Sequence, residues 1–317
     1  MTAIAVPLLR RSQLDEHGWH SRRVRREVGN GYLRVIRPGV YARGSDIESL
    51  SREGTIVVRA QALALVSASR PLFCGITAAA LLGLPCLRDD GLLHVLATES
   101  RPSGGFGVVR HRGPDDERRY VEAEGLRCTP LARTVADVGR SESRDVAVSL
   151  ADAALRERAF RAPDVYDFDE AARFRDEALS WARLATRGRR AAERALTLAD
   201  GRAQLPGESV SRLRLLDIGF AQPSLQVPVP GPRGTMYRVD FGLDDVDAWG
   251  EFDGMVKYRG LAEASARTPH SIVEEEKRRE DWIRGTTQRR FARWTWEHLA
   301  DASTLGRRLA AFGIAPP

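Results

Sequence analysis

Three carboxylates near the C-terminal end of the chain have a spacing that suits metal-dependent chemistry. Glu251 and Asp253 are two residues apart in a predicted strand, residues 248–253, so their side chains share one face. Asp240 lies in the preceding predicted strand, residues 237–241, and converges on that face if the two strands pair. Close carboxylates repel one another unless a cation or protons neutralise them. Hard oxygen ligands favour Mg²⁺ or Mn²⁺, and such an ion activates water and stabilises the charge that develops during phosphodiester cleavage.

A second group of chemically useful residues is the set of arginines in the first 43 residues. They fall on a predicted helix, residues 21–28, and on a predicted hairpin that turns at Pro38 and Gly39. Because a helix fits the major groove and arginines bind phosphates or guanine, these elements predict binding to double-stranded DNA. The alternative is a solvated basic helix face beside a structural hairpin. The candidate DNA-binding residues are Arg22, Arg23, Arg25, Arg26, Arg34 and Arg37.

The elements that must position these arginines have the order of a winged helix-turn-helix. A helix over residues 8–18, the helix over 21–28 and the hairpin are followed by a mixed α/β middle domain. Residues 164–205 are rich in Arg, Glu and Ala with helical spacing, which favours a helical connector over a further nucleic-acid contact. The sequence predicts a multidomain α+β and α/β fold. Its predicted domains are residues 1–48, 49–163, 164–205 and 206–317.

Composition is that of a globular protein. The 317 residues suffice for two or three domains, and 43% are hydrophobic and 29% charged. Cys74, Cys86 and Cys128 form no CxxC pair, which predicts buried thiols rather than disulfides or a zinc site. Neither a signal peptide nor an apolar run of roughly 18 residues is evident. The chain is therefore expected to be cytoplasmic and to make no membrane contact.

Four short sequence motifs follow one another in the first half of the chain. The predicted winged helix ends in Arg-Pro-Gly-Val-Tyr at residues 37–41, and further stretches follow at residues 77–85, 129–137 and 152–155. This series resembles AbiEi-type antitoxins, the antitoxin half of type IV toxin–antitoxin systems. The resemblance implies a DNA-binding autoregulator and raises the possibility of a cognate toxin protein as its partner.

A second series runs from about residue 206 to residue 300. Its pieces are Glu208-Ser209 with Arg212, Gln226, Arg-Val-Asp-Phe at 238–241, Glu-Phe-Asp-Gly at 251–254, the charged helix 275–281, and Arg-Trp-Thr-Trp at 293–296. In this order they resemble the PD-(D/E)XK nuclease superfamily, in particular very-short-patch repair endonucleases. The resemblance implies a restriction-endonuclease-like mixed sheet flanked by helices. It also implies that Asp240 and Glu251 bind Mg²⁺ or Mn²⁺, with Glu208 as an accessory ligand or base-positioning residue.

One position departs from that motif, because Asp253 stands where the family usually has lysine. The missing ammonium group would come from Lys257 or Lys277, and Lys257 is favoured because it follows the acidic strand closely. Some members of this fold relocate the lysine, and others have lost catalysis. The sequence therefore predicts a metal-dependent DNA endonuclease. It leaves open a non-enzymatic repressor or antitoxin with a vestigial nuclease fold, or an unrelated acidic hairpin in a binding domain.

Overall fold

A computed structural model describes residues 6–96, 107–112, 119–161, 165–254 and 269–317, the last range with side chains from residue 274. The chain divides into two compact units, one of Met1–Ala159 and Asp167–Ala199 and the other of Phe160–Tyr166 and Asp200–Pro317. Both contain helices and sheets, so the predicted mixed α/β class is confirmed. Among the described residues, no helix combines the length and the apolar character needed to cross a membrane.

The first unit begins with short helices packed on a three-stranded sheet. Its elements are β1 (Leu9–Arg10), α1 (Arg11–Glu16), α2 (Ser21–Gly29), β2 (Leu33–Arg37), β3 (Val40–Arg43) and α3 (Gly44–Glu48). The antiparallel sheet has the order β1-β3-β2. The first predicted helix is shorter than expected, because Leu9 and Arg10 pair with β3 instead of extending α1. Leu14, Val24 and Leu33 form the small buried core.

A five-stranded mixed sheet follows in the same unit. Its elements are α4 (Arg52–Val66), β4 (Leu72–Phe73), α5 (Gly75–Leu81), β5 (Leu93–Leu96), β6 (Val108–His111), β7 (Val121–Ala123), β8 (Leu126–Cys128), α6 (Leu131–Ser141) and α7 (Arg144–Ala159). The strand order is β6-β5-β4-β8-β7. The three cysteines are free and buried, as predicted, and burial raises the pKa of Cys128 to about 12. They are therefore packing residues rather than reactive thiols.

Two helices cover most of the segment predicted to be a connector. They are α8 (Phe168–Arg183) and α9 (Arg189–Leu198), and both belong to the first unit. Ala182 of α8 and Ala192 of α9 form one buried cluster with Ala136 of α6. Gly139 allows the close approach, because a Cβ atom there would lie 3.0 Å from the Ala192 Cα. The alanine-rich spacing of this segment thus serves helix packing.

The second unit contains a four-stranded sheet with helices before, within and after it. Its elements are the short hairpin β9 (Phe160–Arg161) and β10 (Val165–Tyr166), then α10 (Pro206–Ile218), β11 (Ser224–Pro230), β12 (Met236–Leu243), β13 (Ala248–Phe252), α11 (Pro269–Thr287), β14 (Arg290–Trp294) and α12 (Ala302–Ala310). The sheet has the order β11-β12-β13-β14, antiparallel except for the parallel last pair. Val239, Trp249, Ile283 and Phe291 form a core between this sheet and α11.

Gly207 sets the distance between α10 and the acidic strand β13. A Cβ atom on Gly207 would lie 2.0 Å from the Phe252 ring, which is itself buried. Gly207→Ala is therefore expected to destabilise the protein by about 1–3 kcal/mol through overpacking. Urea unfolding of the full chain, followed by tryptophan fluorescence, measures the change. The control is Gly285→Ala in α11, where nothing lies within 4 Å of the added atom and where about 0.5–1 kcal/mol of stabilisation is expected. Equal effects of the two substitutions would contradict this packing argument.

Candidate functional site

Glu208 is completely buried in the first turn of α10. Its Oε2 accepts hydrogen bonds from the Gln204 backbone nitrogen at 2.9 Å and from the Gln226 side-chain nitrogen at 3.0 Å. Gln226 has a positive φ of 52°, a conformation that costs a non-glycine residue on the order of 1–3 kcal/mol. The same Gln226 nitrogen lies 3.3 Å from Asp240 Oδ1. This strained residue thus links the buried Glu208 to Asp240.

Asp240 lies on β12 between two neighbouring strands. Its Oδ1 faces the Gln226 amide of β11, and its Oδ2 accepts a hydrogen bond from the Phe252 backbone nitrogen of β13 at 2.9 Å. The antiparallel register that pairs Phe241 with Gly250 places Asp240 opposite Glu251. The two carboxylates considered as metal ligands are therefore brought together by the sheet.

Glu251 is buried on β13 between two arginines. The Arg279 Nη2 of α11 lies 2.5 Å from Glu251 Oε1, and the Arg293 Nη2 of β14 lies 3.0 Å from Oε2. The parallel register pairs Glu251 directly with Arg293. Arg279 also donates a hydrogen bond to the Arg238 backbone oxygen. Both carboxylate oxygens are thus held by charge-assisted hydrogen bonds, each worth about 1.5–3 kcal/mol.

Arg293 is the centre of a wider charged network. It also lies 3.3 Å from Glu280 and 3.6 Å from Glu276, both on α11. Burial by itself lowers the pKa of the Arg293 guanidinium, but the charges of Glu251, Glu276 and Glu280 raise it above its ordinary value. Glu251 therefore faces a permanent cation.

The network lines a cleft of about 410 Å³ in the second unit. Its lining residues include four carboxylates and three arginines, namely Asp240, Glu251, Asp253, Glu276, Arg238, Arg279 and Arg293. Gln204 and Gln226 add neutral polar groups, and Glu208 reaches the cleft through Gln226. The charges are nearly balanced. Such a cleft suits a ligand that carries both signs of charge, because each sign meets its counterpart in the wall.

Neither lysine considered from the sequence is among the described residues that line the cleft. Lys277 is exposed on α11, and Lys257 lies outside the described residues. The cations beside Glu251 are instead Arg279, two positions after Lys277, and Arg293 of β14. The sequence holds a signal for this arrangement, because Glu276, Arg279 and Glu280 recur at the three- and four-residue spacing of one helix face. What the spacing does not reveal is the strand that this face contacts.

The donor chemistry of the cleft fits a hard cation such as Mg²⁺ or Mn²⁺, since its carboxylates supply oxygen ligands. Within the described residues, however, no three His, Cys, Asp or Glu side chains come together as a ready ligand group. Both Glu251 oxygens accept from arginines, and both Asp240 oxygens accept from nitrogen donors. A cation bound by Asp240 and Glu251 would therefore compete with the two guanidinium groups for the Glu251 oxygens.

The arginines of α2 that were predicted to bind DNA differ in their contacts. Arg22, Arg23, Arg25 and Arg26 are all exposed, whereas Val24 of the same helix is buried. The Arg23 guanidinium stacks over the Trp19 ring at 4.1 Å. Arg26 forms an ion pair with Glu27 at 2.8 Å. The helix thus presents a basic face to solvent, with Arg22 and Arg25 at its exposed side.

The two candidates on β2 are placed differently. Arg34 is exposed and forms an ion pair with Glu48 at 3.2 Å. Arg37 is half-buried, and desolvation lowers the pKa of its guanidinium. It lines a separate cavity of the first unit. The six arginines therefore do not form one uniform surface.

Comparison with known proteins finds two relatives in Mycobacterium tuberculosis. The chain is 31% identical over 242 residues to "Uncharacterized protein Rv2248" of strain ATCC 25618 / H37Rv and to "Uncharacterized protein MT2308" of strain CDC 1551 / Oshkosh. Each match covers 75% of this chain and 79% of the relative. No family model matches the chain.

Proposed function

The chain belongs to the same protein family as Rv2248 and MT2308 of Mycobacterium tuberculosis, and we propose that it is a DNA-binding protein with a divalent-cation-dependent endonuclease site in its second unit. One observation carries the proposal. Asp240 and Glu251, on adjacent strands, line a single cleft together with Asp253 and the guanidinium groups of Arg279 and Arg293. Carboxylates can hold a cation, and guanidinium groups can bind the phosphate that the cation activates.

Several polar residues at the cleft have a role in this proposal. Asp240 and Glu251 hold Mg²⁺ or Mn²⁺, which when bound supplies an activated water and stabilises charge on the scissile phosphate. Gln226 orients Asp240, and the buried Glu208 orients Gln226, so Glu208 acts as a positioning residue. Arg279 leaves Glu251 and binds a phosphate oxygen instead. This is the charge-stabilising role that the sequence assigned to Lys257 or Lys277. Asp253 lines the cleft beside these groups.

The order of elements supports a restriction-endonuclease-like fold for the second unit. A helix, three antiparallel strands, a second helix and a parallel fourth strand occur in that sequence. The two proposed ligands lie at the centre of the sheet on β12 and β13. A cation held there would be fixed by regular strands, whose geometry is less variable than that of loops.

The N-terminal elements support a winged helix-turn-helix as the DNA-binding module. Two helices precede the β2–β3 hairpin, and the second helix exposes its arginines while burying Val24. In such modules the second helix enters the major groove. We therefore assign α2 as the recognition helix and β2–β3 as the wing.

Incubation of the purified full chain with supercoiled plasmid and with linear duplex tests the proposal. Each DNA is treated with Mg²⁺, with Mn²⁺ and with EDTA. Nicking or linearisation that requires a divalent cation is the expected result. Absence of cleavage of both DNA forms with both ions, together with no rise in melting temperature on adding Mn²⁺, would contradict it.

A non-enzymatic repressor is a second candidate, because one observation favours it. Glu251 is neutralised by Arg279 and Arg293 within the protein itself, and Asp253 occupies the position expected for lysine. A cluster neutralised in this way needs no metal. In this alternative the second unit is a scaffold, as in an autoregulatory antitoxin that binds a cognate toxin protein. Duplex binding without metal-dependent cleavage or metal-induced stabilisation is its expected signature.

The arginines of α2 are expected to dominate duplex affinity. Changing Arg22, Arg25 and Arg26 together to alanine should weaken binding and reduce the slope of log affinity against log salt by roughly one unit per lost phosphate contact. Fluorescence anisotropy of a labelled duplex across a salt series measures both. A matched control removes three exposed arginines of the first unit elsewhere, Arg173, Arg183 and Arg189 of α8 and α9. Equal losses of duplex affinity in both triple variants would show that α2 is not the DNA-binding helix.

A further inference from the structure

The first unit contains a cavity of about 380 Å³ whose charged lining, among the described residues, consists of arginines alone. These are Arg37 of β2, Arg70, Arg110 of β6 and Arg127 of β8. The rest of the lining consists of Ser67, Ser69, Pro71 and apolar side chains from α4 (Leu63, Val66), β4 (Leu72), β5 (Val95, Leu96) and β6 (Val108). The cavity is therefore cationic and also has apolar side chains in its lining.

This charge pattern differs from that of other arginines in the unit. Several other arginines of the unit pair with carboxylates, as in Arg59–Asp89 at 2.5 Å and Arg88–Glu142 at 2.5 Å. No carboxylate lines the arginine cavity within the part of the chain that the structure describes. Clustered positive charge in a concave site raises the local potential and attracts anions.

Arg127 is held in place at this cavity. Its Nη2 donates a hydrogen bond to the Arg70 backbone oxygen at 2.6 Å, and its guanidinium lies 5.1 Å from the centre of the Tyr120 ring. Its Nε is buried and has no hydrogen-bond partner among the described residues. The contacts with the Arg70 backbone and the Tyr120 ring fix the orientation of the guanidinium group at the cavity wall. Arg110 is exposed on β6, on the same sheet face as Val108 two residues earlier.

We propose that this cavity binds the phosphate groups of a nucleotide-sized ligand. Guanidinium forks match phosphate oxygens in two parallel hydrogen bonds, and the apolar side chains offer a surface for a flat base. The volume lies within the range of roughly 300–1,000 Å³ found for small-molecule sites. A concave site of this size suits a compact ligand better than duplex DNA, whose backbone needs an extended surface.

Titration of the full chain with a fluorescent ATP analogue in EDTA tests the proposal. EDTA removes divalent cations, so the carboxylate cleft of the second unit cannot recruit the nucleotide through a metal. We expect saturable binding that inorganic pyrophosphate displaces. Arg70→Gln and Arg110→Gln should each weaken it about tenfold, the effect of one lost charge-assisted hydrogen bond. Arg190→Gln, an equal charge change at an exposed arginine of α9, should leave it unchanged.

Two outcomes overturn the proposal. The first is no saturable binding of the ATP analogue, or binding that Arg190→Gln weakens as much as Arg110→Gln. The second is that Arg70→Gln and Arg110→Gln weaken binding of a 20-base-pair duplex while nucleotide affinity stays at the wild-type value, which would make the arginines part of a DNA surface. Melting temperatures confirm that each variant is folded. Both substitutions remove exposed guanidinium groups and keep the Arg70 backbone oxygen that Arg127 contacts.

Discussion

Replacing Glu251 by glutamine is expected to lower metal-dependent DNA cleavage by about a thousandfold or more, the rate equivalent of about 4 kcal/mol. Glutamine keeps the shape of the side chain but removes the negative charge that would hold the cation beside Asp240. The loss should appear in the initial rate of plasmid nicking in Mn²⁺ and in Mg²⁺. Duplex affinity should remain at the wild-type value, because the proposed DNA-binding module lies in the first unit.

Two further variants sharpen this experiment. Asp240→Asn should reproduce the loss, since Asp240 is the other proposed ligand. Glu274→Gln is the matched control, because Glu274 is an exposed carboxylate of α11 that pairs with Arg278 and does not line the cleft. Melting temperatures separate loss of chemistry from loss of folding. A folded Glu251→Gln protein that cleaves within tenfold of the wild-type rate contradicts the proposed site.

The sequence predicts β11, β12 and β13 of the second unit, because these strands are regular and bounded by turns. The alternation of residues 237–241 and 248–253 identifies β12 and β13, and their proximity along the chain makes an antiparallel pair the natural expectation. Local signals also fix α10, which begins at Pro206 and ends where Gly219 adopts a left-handed φ of 110°. Elements and neighbours of this kind follow from local chemistry.

The first unit shows where local signals are insufficient. Leu9 and Arg10 have helical neighbours, but pairing with β3 makes them a strand. Residues 164–205 have helical spacing whether they bridge domains or pack, and only the buried contacts of Ala182 and Ala192 show that they pack. Tertiary contacts decide both cases, and a single sequence does not display them.

The candidate site illustrates the same limit in electrostatic terms. The clustered carboxylates were expected to need a cation or protons for neutralisation. Two guanidinium groups provide it, from residues 28 and 42 positions beyond Glu251. Parallel pairing of β13 with β14 brings Arg293 to Glu251, and this pairing depends on the whole intervening helix. The charge of the cluster could be predicted, but the source of its counter-charge could not.

A second large effect is expected from Arg279→Gln, because Arg279 supplies part of this counter-charge. The substitution should strengthen metal binding and destabilise the fold. A cation at Asp240 and Glu251 competes with the Arg279 guanidinium for Glu251 Oε1. Removing the competitor should lower the apparent dissociation constant for Mn²⁺ by about tenfold, or about 1.4 kcal/mol. Without metal, losing a partner of the buried Glu251 should cost about 1–3 kcal/mol of stability, less than the usual 3–5 kcal/mol for breaking a buried pair because Arg293 remains.

Calorimetric titration with Mn²⁺ and thermal unfolding with and without Mn²⁺ measure the two effects. The matched control is Arg278→Gln, the adjacent arginine of α11, which is exposed and pairs with Glu274 at 3.4 Å. Because Arg278 does not line the cleft, its loss should change neither the free energy of Mn²⁺ binding nor the stability of the fold by more than about 0.5 kcal/mol. The diagnostic result is a fall in stability together with a rise in Mn²⁺ affinity, since the loss of a purely structural ion pair would lower both. Mn²⁺ affinity that falls or stays constant in Arg279→Gln would mean that no cation competes with Arg279 for Glu251, and the second unit would then be a scaffold.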